Sequence, residues 1–130
     1  MKDIQVPVSP GELLDKITIL QIKSERIEDP AKLANINREL ETLTRVWQES
    51  VESDEQIAAL TARLKSINEK LWEIEDDIRE EERNRRFGER FIELARAVYV
   101  TNDERADAKK QVNLLLGSTI VEEKSYQDYS

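Results

Sequence analysis

Four carboxylates, Glu73, Asp76, Asp77 and Glu80, fall at i, i+3, i+4 and i+7. On a helix they share one face, where like charges at i,i+4 repel by about 0.3 kcal/mol per pair. A divalent cation would relieve that repulsion and takes such oxygens as ligands. Glu12 and Asp15 form a second carboxylate pair with the spacing E-x-x-D. With the two helices side by side, Glu12, Asp15, Glu73, Asp76 and Asp77 would line a Mg²⁺ site. Arg79 and Lys109 would then stabilise phosphate charge. A plainer reading exists for each group. Glu75/Arg79, Glu81/Arg85 and Glu82/Arg86 are favourable i,i+4 pairs of a solvated face. Glu12 and Asp15 also suit the positive end of a helix N-terminus.

Other polar groups carry weaker signals. Arg83, Arg85, Arg86 and Arg90 would hold a phosphate or an acidic partner, or simply complement a helix C-terminus. Asn102, Asp103, Lys109 and Asn113 are polar groups on a helix that must also pack. A buried Asn such as Asn113 more often fixes register than performs chemistry. There is no His and no Cys. This excludes thiolate metal sites, disulfides and the commonest general base. A formal charge of −8 disfavours nucleic acid and anionic membrane as partners, since both need a positive surface. Residues 1–8 have no signal- or transit-peptide character. No apolar run approaches the roughly 20 residues of a membrane span. The expected compartment is the cytoplasm.

Helices must position these groups. Charged residues are 37% and aromatics 5%, with three Gly and three Pro; sheets need more turn and β-branched residues. The length suits one domain, residues 1–130. Ser9-Pro10-Gly11-Glu12 is a helix start with a capping Ser and Pro at the first position. Leu13, Ile17, Leu20 and Ile27 form its stripe, widened by Leu14, Ile19 and Ile22. A stripe so broad implies more than one neighbour. Asp29-Pro30 starts a second helix with the seam Leu33, Ile36, Leu40, Leu43 and Trp47.

The third helix is the longest. Ile57, Leu60, Leu64, Ile67, Leu71, Ile74 and Ile78 alternate steps of 3 and 4, the spacing of a helix packed along another. Ser53, with Gln56, is expected to cap it. The short link Glu52-Ser53-Asp54 implies that helices two and three run antiparallel as a pair. Trp72 lies off this seam, beside Glu75 and Arg79, and calls for cover by a further helix. Thr101 with Glu104 spells another capping box, so helices are expected at about 10–28, 30–51, 53–86, 88–100 and 102–116. A single continuous helix in place of the last two is the other option. Gly117 is a natural stop. Ile4-Gln5-Val6-Pro7-Val8 and Thr119-Ile120-Val121 are expected to pair as short terminal strands or lie side by side. The tail from Ser118 to Ser130 is expected to be partly disordered or to dock on a partner. The fold class is all-α: a long antiparallel, coiled-coil-like helix hairpin with further helices packed on it.

Four stretches carry a resemblance: Val6-Pro7-Val8-Ser9-Pro10-Gly11-Glu12-Leu13-Leu14-Asp15-Lys16-Ile17, Leu71-Trp72-Glu73-Ile74-Glu75-Asp76-Asp77-Ile78-Arg79, Phe91-Ile92-Glu93-Leu94-Ala95 through Thr101-Asn102-Asp103, and Glu122-Glu123-Lys124-Ser125-Tyr126. Over nearly the whole chain they resemble a family of short bacterial proteins of unknown function. The resemblance implies a small self-standing helical domain and brings no activity. The expected function is a non-catalytic helical interaction or scaffold module that self-associates as a homodimer and meets an unknown protein partner. No cofactor is implied. The alternative is loosely similar to all-helical nucleotide pyrophosphohydrolases, Mg²⁺-dependent enzymes with carboxylate-lined sites. Their E-E-x-x-E pattern is absent here, and the order of the segments differs.

Overall fold

A computed structural model describes residues 2–129. Four helices follow one another: α1 Pro10–Arg26, α2 Pro30–Ser50, α3 Glu55–Arg83 and α4 Glu89–Leu115. No strand forms among the described residues, so the terminal segments make no β pair there. The fold is all-α.

Local chemistry explains the helix ends. The Ser9 hydroxyl accepts the Glu12 N–H at 3.2 Å, and Asp29 accepts from Ala31 at 3.2 Å. Pro10 and Pro30 occupy the first turns that follow, where no N–H is missed. The α3 cap is Asp54, which accepts the Ile57 N–H at 2.8 Å; the sequence had pointed to Ser53. The Asp carboxylate is the stronger acceptor and carries favourable charge at a helix N-terminus. α4 is continuous through Thr101, so the capping-box pattern there does not start a helix. Thr101 is instead buried in mid-helix at 1% exposure. Packing along α3 overrides a local capping preference worth about 1 kcal/mol. α4 ends as expected, with Gly117 at φ +68° and Ser118 N–H donating to the Asn113 carbonyl at 2.9 Å.

The long hairpin is α3 with α4, not α2 with α3. α3 and α4 run antiparallel along their length, as the pairs Arg63–Asp107 (3.0 Å) and Asp77–Arg90 (3.5 Å) show. α2 folds back on α1 and makes no close backbone approach to α3. The breadth of the α1 stripe accounts for this. α1 packs on α2, α3 and α4 at once and takes up the seam of α2. The core cluster joins Leu14 of α1, Leu64 and Ile67 of α3, and Ala108 and Val112 of α4. Trp47 of α2 reaches it from the edge. No residue of α2 is buried, so its seam stays half open.

Candidate functional site

α1 crosses α4 with very little clearance. A Cβ on Gly11 would fall well inside contact distance of the Lys109 carbonyl oxygen. The Gly11 N–H, one of the unpaired donors of the first helical turn, donates to Asn113 Oδ1 at 2.7 Å. Asn113 therefore sets the register of α4 on α1. One turn further along α1, Asp15 is 1% exposed. Arg105 of α4 grips it with both forks, Nε to Oδ1 at 2.9 Å and a terminal nitrogen to Oδ2. Asn68 of α3 donates to Asp15 Oδ1 at 2.9 Å and to Thr18 Oγ1 at 3.0 Å. Thr18 donates in turn to the Asp15 carbonyl at 2.9 Å. Three helices thus meet at one buried carboxylate. Such a charge is tolerated because it is paired and hydrogen-bonded on every side.

Lys109 lies one turn beyond Arg105. Its ammonium donates to Glu12 at 2.7 Å and to Glu122 of the tail at 3.2 Å. Burial opposes the charge on Lys109, but those two hydrogen bonds and the nearby carboxylates outweigh it and hold the ammonium above the usual lysine range. Arg105 is likewise raised, first by its hydrogen bonds to Asp15. The tail runs back along α4: Tyr129 lies against Tyr99, with ring centroids 5.2 Å apart and planes tilted by 58°. A hydrogen bond to Asp103 raises the Tyr129 phenol above its usual range. The described part of the tail thus lies on its own chain.

Beside the buried carboxylate a groove of about 410 Å³ opens between α1, α3 and α4. Ile19, Ile22, Leu71 and Trp72 form its apolar floor and wall. Lys23, Glu75, Asp76 and Asn102 stand at its rim, and Asn68 and Arg105 at its back. The two back residues are the ones that hold Asp15. Close by in sequence, the Thr101 hydroxyl is buried with no hydrogen-bond partner among the described residues.

A family model, a family of unknown function (DUF6165), matches residues 4–129. The chain belongs to DUF6165. No curated protein and no solved structure matches it. In this DUF6165 chain the residues singled out from sequence fall in separate places. Glu12, Asp15 and Lys109 form the ion pairs that tie α1 to α4. Trp72 and Asn102 line the groove with Asp76. Glu73 and Asp77 lie on the outer face, bonded to Arg26 (3.5 Å) and Arg90 (3.5 Å), while Arg79, exposed on the groove side of α3, is bonded to Glu75 (3.3 Å). Asp103 serves the tail. Among the described residues, no three carboxylates gather where one cation would reach them. Glu12, Asp15, Glu73, Asp76 and Asp77 are therefore not brought to one point. No helix among the described residues is long and apolar enough to cross a membrane.

Sequence reasoning missed Arg105, Asn68 and Thr18. A signal existed for Asn68: it lies one turn before Trp72 on the same side of α3. Two residues off the seam and stacked on one face mark a second packing surface. Arg105 gave no such signal, because one Arg among many charged residues reads as solvated.

Proposed function

We propose that the protein is a non-catalytic helical interaction module whose recognition surface is the groove between α1, α3 and α4. One observation carries this reading. Arg105 and Asn68, which back the groove, are locked by the buried Asp15, so polar groups beside an apolar floor are held in place before any partner arrives. Preorganisation of this kind lowers the cost of binding. A Trp wall, an aliphatic floor and a charged rim match the anatomy of a protein-recognition hot spot. Glu12 and Asp15, the carboxylates that would serve the enzyme alternative, are already held by Lys109 and Arg105.

The test is site-specific photocrosslinking in cells that make the protein. A crosslinker replacing Trp72 is expected to give an adduct of discrete mass. The same group replacing Lys32, at the exposed start of α2, is expected to give none. Equal labelling at both positions would sink the reading. For the enzyme alternative, thermal unfolding at millimolar Mg²⁺ is decisive. A specific site would raise the midpoint by mass action; the expected shift is none.

A further inference from the structure

The groove continues as a stripe. Asn68, Trp72, Glu75, Asp76, Arg79 and Arg83 fall at i, i+4, i+7, i+8, i+11 and i+15 of α3, so they share one face. The first four line the groove. The last two lie beyond Glu73, the farthest α3 residue that α1 meets by an ion pair among the described residues. There the α3–α4 hairpin projects, and Arg79 and Arg83 are 79% and 75% exposed. The stripe runs from acid to base. Asp76 is exposed and has no ion pair among the described residues. At the tip of the projecting hairpin Phe87 is 50% exposed, touching Phe91 edge-on at 5.3 Å.

An acid-to-base order along one helix face complements itself only when two copies run antiparallel. We propose that the occupant of the groove is the hairpin tip of a second copy of this chain, in a reciprocal two-fold dimer. Setting Asp76 of one copy opposite Arg83 of the other places the axis between residues 79 and 80. The same register sets Trp72 opposite the turn that carries Phe87. One alignment therefore covers the exposed ring with the apolar floor and pairs the free carboxylate with an arginine. Arg79, next to the axis, already carries its own counter-ion in Glu75 at 3.3 Å, and Arg83 is shared between Glu80 of its own chain at 2.6 Å and Asp76 of the other copy. The contact is isologous, so it closes on two copies and does not propagate.

This rests on reading the groove as a recognition surface, and the experiment separates the two. Sedimentation equilibrium of the full chain is expected to give twice the 15.1 kDa of one chain, with association weakening as salt rises. Asp76→Arg and Arg83→Glu are each expected to weaken association at least tenfold. Their equimolar mixture is expected to dimerise like the unaltered protein, because each reversed charge then meets its opposite. Phe87→Ala is expected to weaken association at least tenfold in the same sedimentation measurement, with the helical content of the single chain unchanged. A dimer indifferent to both charge reversals, or a mixture that stays monomeric, overturns the proposal. A particle of one chain at every concentration also overturns it. If a crosslinker at position 72 then still captures a different protein, the groove reading survives alone. If it captures nothing, both fall.

Discussion

Asp15 is the residue on which the structure turns. Its carboxylate is charged, buried and shared by three helices. Removing one partner of a buried pair costs about 3–5 kcal/mol, because the other charge is left uncompensated. Arg105→Met is therefore expected to destabilise by about that amount in urea unfolding. Adding Asp15→Asn should recover part of the loss, since it removes the stranded charge and keeps an acceptor for Asn68. A double variant less stable than Arg105→Met would contradict this account. Thr101 gives the opposite expectation. Its buried hydroxyl has no partner among the described residues, so Thr101→Val should raise stability by about 1 kcal/mol. A fall in the thermal midpoint would mean that the hydroxyl has a role in the fold. At this scale the sequence was half legible. Glu12 and Asp15 stood out by spacing, but their partners lie about a hundred positions away in the chain. No local pattern announces which distant Arg or Lys will arrive.

Helix starts and stops were legible where the end is local chemistry. Ser9-Pro10, Asp29-Pro30 and Gly117 act as their residue types dictate. The pairing of the helices was not legible. α2 and α3 both carry 3–4 seams, and a seam does not name its partner. The width of the α1 stripe was the better clue, because a helix with several neighbours must sit between them. The turn after α3 holds a further lesson. Arg85 has φ +52° and closes the helix with bonds from Arg85 N–H to the Glu82 carbonyl and from Arg86 N–H to the Glu81 carbonyl. That is the position where glycine is usual. Arg85→Gly is expected to stabilise by about 0.5–1 kcal/mol, the relief of left-handed strain outweighing the added freedom of the unfolded chain. Denaturant midpoints would measure it; a lower midpoint would show that the Arg85 side chain supports the turn.

Both ends of the molecule converge on α4. Lys109 is bonded to Glu12 near the start of the chain and to Glu122 near its end. Its pKa is raised in the folded state, so its contribution to stability is complete below the ordinary lysine value of 10.5 and is lost as pH rises through the folded value. The stability gap between the unaltered protein and Lys109→Met should hold constant from neutral pH to that value and shrink above it. A gap that shrinks already at neutral pH would refute the assignment. The overall class was legible from composition, since few Gly, Pro and aromatic residues leave helices as the only economical fold. The convergence of the ends was not, because it depends on tertiary pairing alone.

The close crossing of α1 and α4 also bears on the order of events as the chain is made. Gly11 waits for Asn113, 102 positions later, and Asp15 waits for Arg105, 90 positions later. The α3–α4 hairpin closes over a short turn and forms by local encounter, whereas the α1 contacts require the longest loop closures in the chain. During synthesis α1 therefore emerges first and is secured last. Until α4 is out, its broad apolar stripe has only α2 and α3 to cover it and Asp15 lacks Arg105, and a ribosome stalled before α4 holds a nascent chain that invites chaperones.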